Sequence, residues 1–143
     1  MTDTRAELME SILLHDEERY GLDCLTPMQL HSYLHNNNAV DACIVDSTSG
    51  APKLVGYGII TRGHKNIWRL RRLVVTPDYQ QQGHGNQMYA ALITTGFRYR
   101  CTVPESDVYS QVWLSRKGWR AVGIHYGYLH SGGAVYEFTL DLR

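Results

Sequence analysis

The sequence has no net charge and no cysteine framework, and each absence excludes a class of protein. Its 14 lysines and arginines balance 14 aspartates and glutamates, so no overall basic field attracts nucleic acid. The three cysteines, Cys24, Cys43 and Cys101, are odd in number and lack Cys-x-x-Cys spacing. This argues against both a disulfide framework and a zinc site. We expect buried, reduced thiols instead.

Segments that would target or anchor the chain are also missing. The first seven residues are polar, with no apolar signal core, and no apolar run is long enough to span a membrane. There are no repeats, and His64, His84, His125 and His130 show no metal-ligand spacing. These features predict one cytoplasmic domain over residues 1–143, with no bound metal.

Hydrophobic periodicity and turn residues predict a mixed α/β chain in the order ααβββαβαββ. The predicted helices lie near residues 4–20, after a capping box that begins at Thr26, after Gly85, and from Pro104 to about Lys117. The predicted strands cover residues 39–45, 53–61, 67–75, 97–103, 119–129 and 134–142. The first three strands are expected to form an antiparallel meander, and the last two a hairpin.

The third strand changes phase within its length. Trp68 and Leu70 place apolar groups at even positions, whereas Leu73 and Val75 place them at odd positions. One extra residue in a β-bulge produces such a shift. Burial of both faces near the strand end, where Val74 is apolar as well, is the competing explanation.

The segment after this strand has the features of an anion-binding loop. Its glycines remove the Cβ atoms that would block a ligand, and the following helix adds unpaired N–H donors and partial positive charge. No third glycine follows, as in Gly-x-Gly-x-x-Gly, and no Gly-Lys-Ser/Thr occurs, as in a Walker loop. The alternative is a plain strand-to-helix turn. The loop consists of Gln80, Gln81, Gln82, Gly83, His84, Gly85 and Asn86.

The pattern Gln-x-x-Gly-x-Gly, preceded by Val-x-Pro, resembles the acetyl-CoA loop of the GNAT superfamily of acetyl-CoA-dependent N-acyltransferases. The segment 112–119, Val-Trp-Leu-Ser-Arg-Lys-Gly-Trp, looks like the second motif of that family. The resemblance covers residues 39–142, and the family's usual first strand is not evident before the first helix. It implies a GNAT-like mixed α/β fold with a splayed central sheet.

The resemblance also implies a function. Acetyl-CoA would be the co-substrate, and its acetyl group would move by direct attack to a primary amine, namely a small amine, a lysine or a protein N-terminus. A backbone N–H near the bulge would stabilise the oxyanion. The partners are then acetyl-CoA and an amine acceptor, without nucleic acid or a membrane, and a homodimer is left open. The cofactor-binding residues implied are Leu73, Val74, Val75, Gln80, Gln81, Gln82, Gly83, His84, Gly85 and Asn86.

The proton-transfer residues of the family are not matched. Leu114 stands where the family often has a tyrosine that donates a proton to the CoA sulfur, and Arg69 stands where several relatives carry a glutamate base. Ser115 and Tyr109 are the candidate catalytic substitutes. The alternative function is a GNAT-fold protein that binds a macromolecular partner with weak or no transferase activity. A modifier of aminoacyl-tRNA is a third hypothesis, and the zero net charge argues against it.

Other candidates have a structural explanation beside the functional one. Glu105 and Asp107 flank the expected entry of the acceptor, Cys101 faces the thioester region, and Arg116 is a candidate phosphate contact. A basic cluster has three interpretations: a solvated strand face, a contact to an acidic acceptor, or a salt-bridge partner of the acidic first helix. The solvated or salt-bridged interpretation is favoured. The cluster consists of Arg62, His64, Lys65, Arg69, Arg71 and Arg72.

Overall fold

The computed structural model describes residues 4–143. The first three residues of the predicted domain, which belong to the polar N-terminal segment, lie outside the described residues. The helices are α1 (Thr4–Tyr20), α2 (Pro27–His35), α3 (His84–Leu92) and α4 (Val108–Arg116). The strands are β1 (Ala39–Asp46), β2 (Lys53–Arg62), β3 (Ile67–Val75), β4 (Arg98–Pro104), β5 (Arg120–Tyr126) and β6 (Ala134–Asp141).

The predicted order of elements is confirmed, and most bounds lie within a residue or two of the prediction. Helix α2 begins at the predicted capping box, in which Thr26 and Gln29 exchange hydrogen bonds of 2.9 and 3.1 Å. Three ends were predicted wrongly. Helix α4 begins at Val108 and not near Pro104, because Asp107 caps it. Helix α3 stops at Leu92 because Ile93 turns to an extended conformation and is buried. Strand β5 ends at Tyr126 because Gly127, with φ of 70°, turns the chain.

The six strands form one mixed sheet in the order β1-β2-β3-β4-β6-β5. Strands β3 and β4 are parallel, and every other neighbouring pair is antiparallel. The predicted bulge in β3 is present: Ile59 pairs with Arg72, while the next residue, Ile60, pairs with Leu70. Arg71 is therefore the extra residue.

Helices cover the two faces of the sheet with separate apolar clusters. Leu92 of α3 and Leu114 of α4 pack with Tyr99 on one face. Ile12 of α1 and Leu30 of α2 pack on the other. Cys101 lies buried in the first cluster as expected, whereas Cys24 and Cys43 are only half-buried; all three are free thiols.

Two glycines of β2 allow α3 to approach the sheet. A Cβ on Gly56 would lie 2.7 Å from Met88 Cε of α3, and one on Gly58 would lie 2.6 Å from Leu92 Cδ1. Both distances are too short for any side chain, so only glycine fits here without a shift of the neighbouring atoms. This close packing fixes the N-terminus of α3 beside the end of β3.

The described residues also bear on membrane and metal binding. Helix α1 is the longest in residues 4–143, at 17 residues, and no helix there is long and apolar enough to cross a membrane. Within the same range, no group of three or more histidine, cysteine or acidic side chains is arranged to hold a metal ion.

Candidate functional site

The sheet opens where β3 and β4 separate. The two strands pair only through Ile67–Arg69 and Arg98–Arg100, although each continues and pairs with its other neighbour. Thr76 N–H donates to Val55 O of β2 at 2.8 Å. Backbone direction alternates along a strand, so the polar groups of Leu73 and Val75 point into the gap. The gap thus exposes a strand edge to which an extended ligand can bind.

The loop that follows β3 leaves a row of backbone donors unused. Within residues 4–143, no backbone or side-chain acceptor takes the N–H groups of the five residues from Gln82 to Asn86. The first hydrogen bond of α3 is donated by Gln87 to Gly83 O, at 3.1 Å. Five free donors at a helix N-terminus form an anion site, because they add hydrogen bonds to the positive end of the helix dipole.

The two glycines of the loop differ in whether the backbone conformation requires glycine. Gly83 has φ of 86°, a left-handed conformation that side chains disfavour. Gly85 lies in the first turn of α3, and a Cβ there would meet only Val75 Cγ2, at an ordinary 3.7 Å. The fold therefore does not require glycine at position 85, whereas a ligand that approaches the backbone there does.

Side chains hold the loop in place from three directions. Gln80 Nε2 donates to Val75 O at 3.2 Å, and Tyr79 OH donates to Asp46 Oδ2 at 2.9 Å. Just after α4, Lys117 Nζ donates to Asn86 Oδ1 at 2.6 Å. The cation of Lys117 therefore lies against the loop, a contact that was not predicted from the sequence.

The loop and the gap open into one cavity of about 1100 Å³. One end is lined by Gly83, His84 and Asn86 of the loop, and the other by residues between α1 and α2 and between β5 and β6. The cavity is large enough for a ligand of nucleotide size with a second molecule beside it.

A buried acid fixes the bulged strand beneath this cavity. Asp16 of α1 has no exposed surface, and its carboxylate accepts from Arg72 Nε at 2.9 Å and from Tyr57 OH at 2.8 Å. Leu25 N–H also donates to it, at 2.6 Å. Burial, followed by the Asp16 charge, raises the pKa of Tyr57 far above its ordinary value. The signal for this network lay in α1, where Asp16 occupies the apolar face between Ile12 and Tyr20.

A second acid joins the two loops at the far end of the cavity. Asp23, after α1, accepts from His130 N–H at 2.7 Å and from Ser131 Oγ at 2.5 Å. The Ser131 hydroxyl is the main cause that lowers the pKa of Asp23. This clasp could not be predicted from the sequence, because Asp23 lies 107 and 108 residues from its two partners.

The cavity takes in some of the predicted catalytic candidates and leaves out others. Tyr109 lines it and is 75% exposed. Ser115 is not among the lining residues, and its hydroxyl donates to Gln111 O at 2.8 Å. Leu114 lines the cavity from the core. Cys101 also lines it, but burial raises the pKa of its thiol to about 12.

The acidic candidates at the acceptor entry are engaged in structural contacts. Asp107 caps α4, accepting from Ser110 N–H at 3.2 Å, and forms an ion pair with Arg19 at 3.1 Å. Glu105 is not among the lining residues, and its Oε1 accepts from Ala134 N–H at 3.4 Å.

A splayed mixed sheet with a glycine loop at the gap defines an acyl-CoA-type transferase fold. A family model described as the acetyltransferase (GNAT) family matches residues 6–111. The chain belongs to this family. No curated protein matches it in sequence.

Solved structures share the fold at low sequence identity. The ribosomal-protein-S18-alanine N-acetyltransferase from Escherichia coli is 16% identical, with a TM-score of 0.75 over 99% of this chain and 90% of that chain. The NatC complex bound to Gag peptide and CoA is 15% identical, with a TM-score of 0.82 over 99% and 96%. NAA60 of Arabidopsis thaliana in complex with acetyl-CoA is 13% identical, with a TM-score of 0.73 over 92% of each chain.

Proposed function

We propose that this chain is an N-acetyltransferase that moves an acetyl group from acetyl-CoA to a primary amine. The observation that carries the proposal is the row of free N–H groups from Gln82 to Asn86, with a glycine at position 85 that the fold does not need. A diphosphate fits both features, because it takes several backbone donors at once and needs close approach. Structural neighbours bound to CoA or acetyl-CoA support the assignment.

The chain's residues divide the binding between two elements. The N–H groups of the loop hold the diphosphate. The open edge pairs with amide groups of the pantetheine arm as an added strand would, through the polar groups of Leu73 and the N–H of Val75, since Val75 O already accepts from Gln80. Bound acetyl-CoA supplies an activated acetyl thioester. A free N–H on the open edge beside the bulge stabilises negative charge that develops on the carbonyl oxygen, an effect of about 3–4 kcal/mol.

Direct attack by the amine fits the cavity better than a route through a cysteine. A thiol with a pKa of about 12, as burial gives Cys101, carries almost no thiolate at neutral pH. The two carboxylates that line the cavity, Asp23 and Asp107, are both engaged. The amine therefore loses its proton to water in the open cavity. Tyr109, whose hydroxyl makes no hydrogen bond to residues 4–143, is the side chain proposed to protonate the departing thiolate.

Coenzyme release on a panel of amines and peptides tests this function. We expect acetyl-CoA to raise the melting temperature by about 5–10 °C at 100 times its Kd, and at least one acceptor to give turnover. Tyr109→Phe should lower kcat without weakening acetyl-CoA binding. An unchanged melt at millimolar acetyl-CoA would count decisively against the proposal.

The second candidate is a GNAT-fold protein that binds a macromolecular partner without transfer. The observation in its favour is Leu114, which is 4% exposed and cannot donate a proton at the place of the family tyrosine. Acetyl-CoA binding without turnover on any acceptor would support this candidate over the enzyme.

A further inference from the structure

The bulge in β3 gathers arginines on the acceptor side of the cavity. Neighbouring residues of a regular strand point to opposite faces, but a bulge turns two of them to the same face. Arg72 contacts Asp16 of α1, and the adjacent Arg71 lies 6.0 Å from the ring of Tyr33 in α2. Both arginines therefore lie toward α1 and α2, and both line the cavity with Arg69.

The charge of Arg72 is neutralised by the fold. Its guanidinium pairs with the buried carboxylate of Asp16 at 2.9 Å and donates a further hydrogen bond to Asp23 O at 3.0 Å. Its side chain is 17% exposed. Arg72 is therefore a structural arginine and has little charge left to attract a ligand.

Arg69 is only partly neutralised. Its Nη2 lies 4.0 Å from Glu137 Oε1, at the limit of an ion pair. The same carboxylate is shared with Arg100 at 3.7 Å and with His125 at 2.9 Å. One carboxylate between two arginines leaves a net positive charge on this side of the sheet.

Arg71 has no acidic partner within the part of the chain that the structure describes. Its Nε donates to Thr61 Oγ1 at 3.0 Å, and none of the ion pairs in residues 4–143 includes it. Of the acids that line the cavity, Asp107 pairs with Arg19, and Asp23 is held by His130 N–H and Ser131 Oγ in the clasp; neither forms an ion pair with Arg71. The acceptor side of the cavity thus presents a guanidinium without a counter-charge.

We propose that the acceptor carries a carboxylate close to its amine, and that Arg71 binds it, with Arg69 contributing charge. A planar guanidinium matches a carboxylate with two parallel hydrogen bonds, which fixes orientation as well as charge. Arg71 is thus a residue that determines acceptor specificity. This inference rests on the proposed acetyl transfer, since it names the acceptor class of the same site.

Matched acceptors that differ only in the carboxylate test the inference. One pair is β-alanine against its amide, which represents a small acidic amine. The other is a tetrapeptide amide that begins with aspartate against the same peptide beginning with asparagine, which represents an acidic protein N-terminus. Binding is measured by calorimetry on the full chain, with and without coenzyme A, and KM and kcat are measured with acetyl-CoA.

We expect the acidic member of at least one pair to bind about tenfold more tightly, a preference that declines as salt is added. Arg71→Gln should raise Kd and KM for that acid about tenfold, leaving kcat and the neutral member nearly unchanged, and Arg71→Lys should be intermediate. Arg62→Gln is the matched control. Arg62 is exposed, donates to Asn66 Oδ1 at 3.0 Å and is not among the residues that line the cavity.

Failure of this inference and failure of the proposed function give different results. Equal binding of the two members of both pairs by the unaltered protein, at every salt concentration, overturns the acidic acceptor whether or not coenzyme A binds. An Arg71→Gln variant that weakens the acidic and neutral members alike assigns Arg71 to structure and overturns its role in specificity. Absence of coenzyme A binding instead refutes the proposed function.

Discussion

Replacing Gly85 by alanine separates what the fold needs from what a bound diphosphate needs. The new Cβ would lie 3.7 Å from Val75 Cγ2, an ordinary contact, and position 85 is inside a helix. Alanine is favoured over glycine in a helix by about 0.5–1 kcal/mol, so the variant should melt up to about 3 °C higher.

Ligand binding should change in the opposite direction. The methyl group is added within a row of N–H donors that have no partner among residues 4–143, where a ligand would have to approach the backbone. Loss of one hydrogen bond from a backbone N–H to a charged oxygen removes about 1.5–3 kcal/mol of binding free energy, which weakens acetyl-CoA binding about 10- to 150-fold. A variant that is more stable but binds less acetyl-CoA is the expected result.

Gly83→Ala is the matched control for this comparison. Gly83 has φ of 86°, so alanine there strains the backbone and should destabilise the chain by about 1 kcal/mol or more. Both variants are measured by thermal melting and by calorimetric titration with acetyl-CoA. The reasoning is refuted if Gly85→Ala binds acetyl-CoA as tightly as the unaltered chain.

Three further predictions concern the buried groups and the clasp. Asp16→Asn should lower the free energy of unfolding by about 3–5 kcal/mol in urea, because it leaves the Arg72 charge uncompensated, whereas exposed Glu17→Gln should change little. Cys101 should resist iodoacetamide at pH 8 in the native protein, since burial raises its pKa to about 12, and Cys101→Ala should retain turnover. Labelling followed by mass spectrometry measures the first result, and a labelled Cys101 in the native protein would contradict it. The pKa of Asp23 is lowered by folding, so its contribution to stability is present above the unfolded pKa near 4 and is lost as pH falls through the folded pKa. Asp23→Asn should therefore flatten the acid limb of stability against pH, and an unchanged limb would contradict the clasp.

Features encoded by local periodicity were predictable from the sequence. The bounds of β3 agree with the prediction residue for residue, and the phase change between Leu70 and Leu73 located the bulge. Such a shift is visible because alternation in a strand has a period of two, so one extra residue reverses the pattern. The loop was predictable for a similar reason, because the spacing of its glycines depends on the backbone conformation of only a few neighbouring residues.

Features that depend on tertiary contacts were not predictable. A salt bridge between the acidic first helix and the basic cluster is one of the three interpretations of that cluster, and of the helix's acids one, Asp16, pairs with Arg72. The apolar face of α1 marks Asp16 as the buried acid, but local periodicity could not identify its partner, because 56 residues separate Asp16 from Arg72. The clasp between Asp23 and the β5–β6 loop was missed for the same reason. Nothing in local periodicity reports such distant pairs.

A site built from main-chain groups explains how this chain departs from the family pattern at Leu114 and still keeps the loop and the gap. The N–H groups of residues 82–86 and the open edge at Leu73 and Val75 depend on backbone path, not on side-chain type. Backbone path is set by the glycines of β2, the bulge and the buried Asp16. Substitutions that keep those features should leave the proposed coenzyme surface intact. If Arg71 binds the acceptor as proposed, substitutions at such cavity side chains should change the acceptor without loss of coenzyme binding.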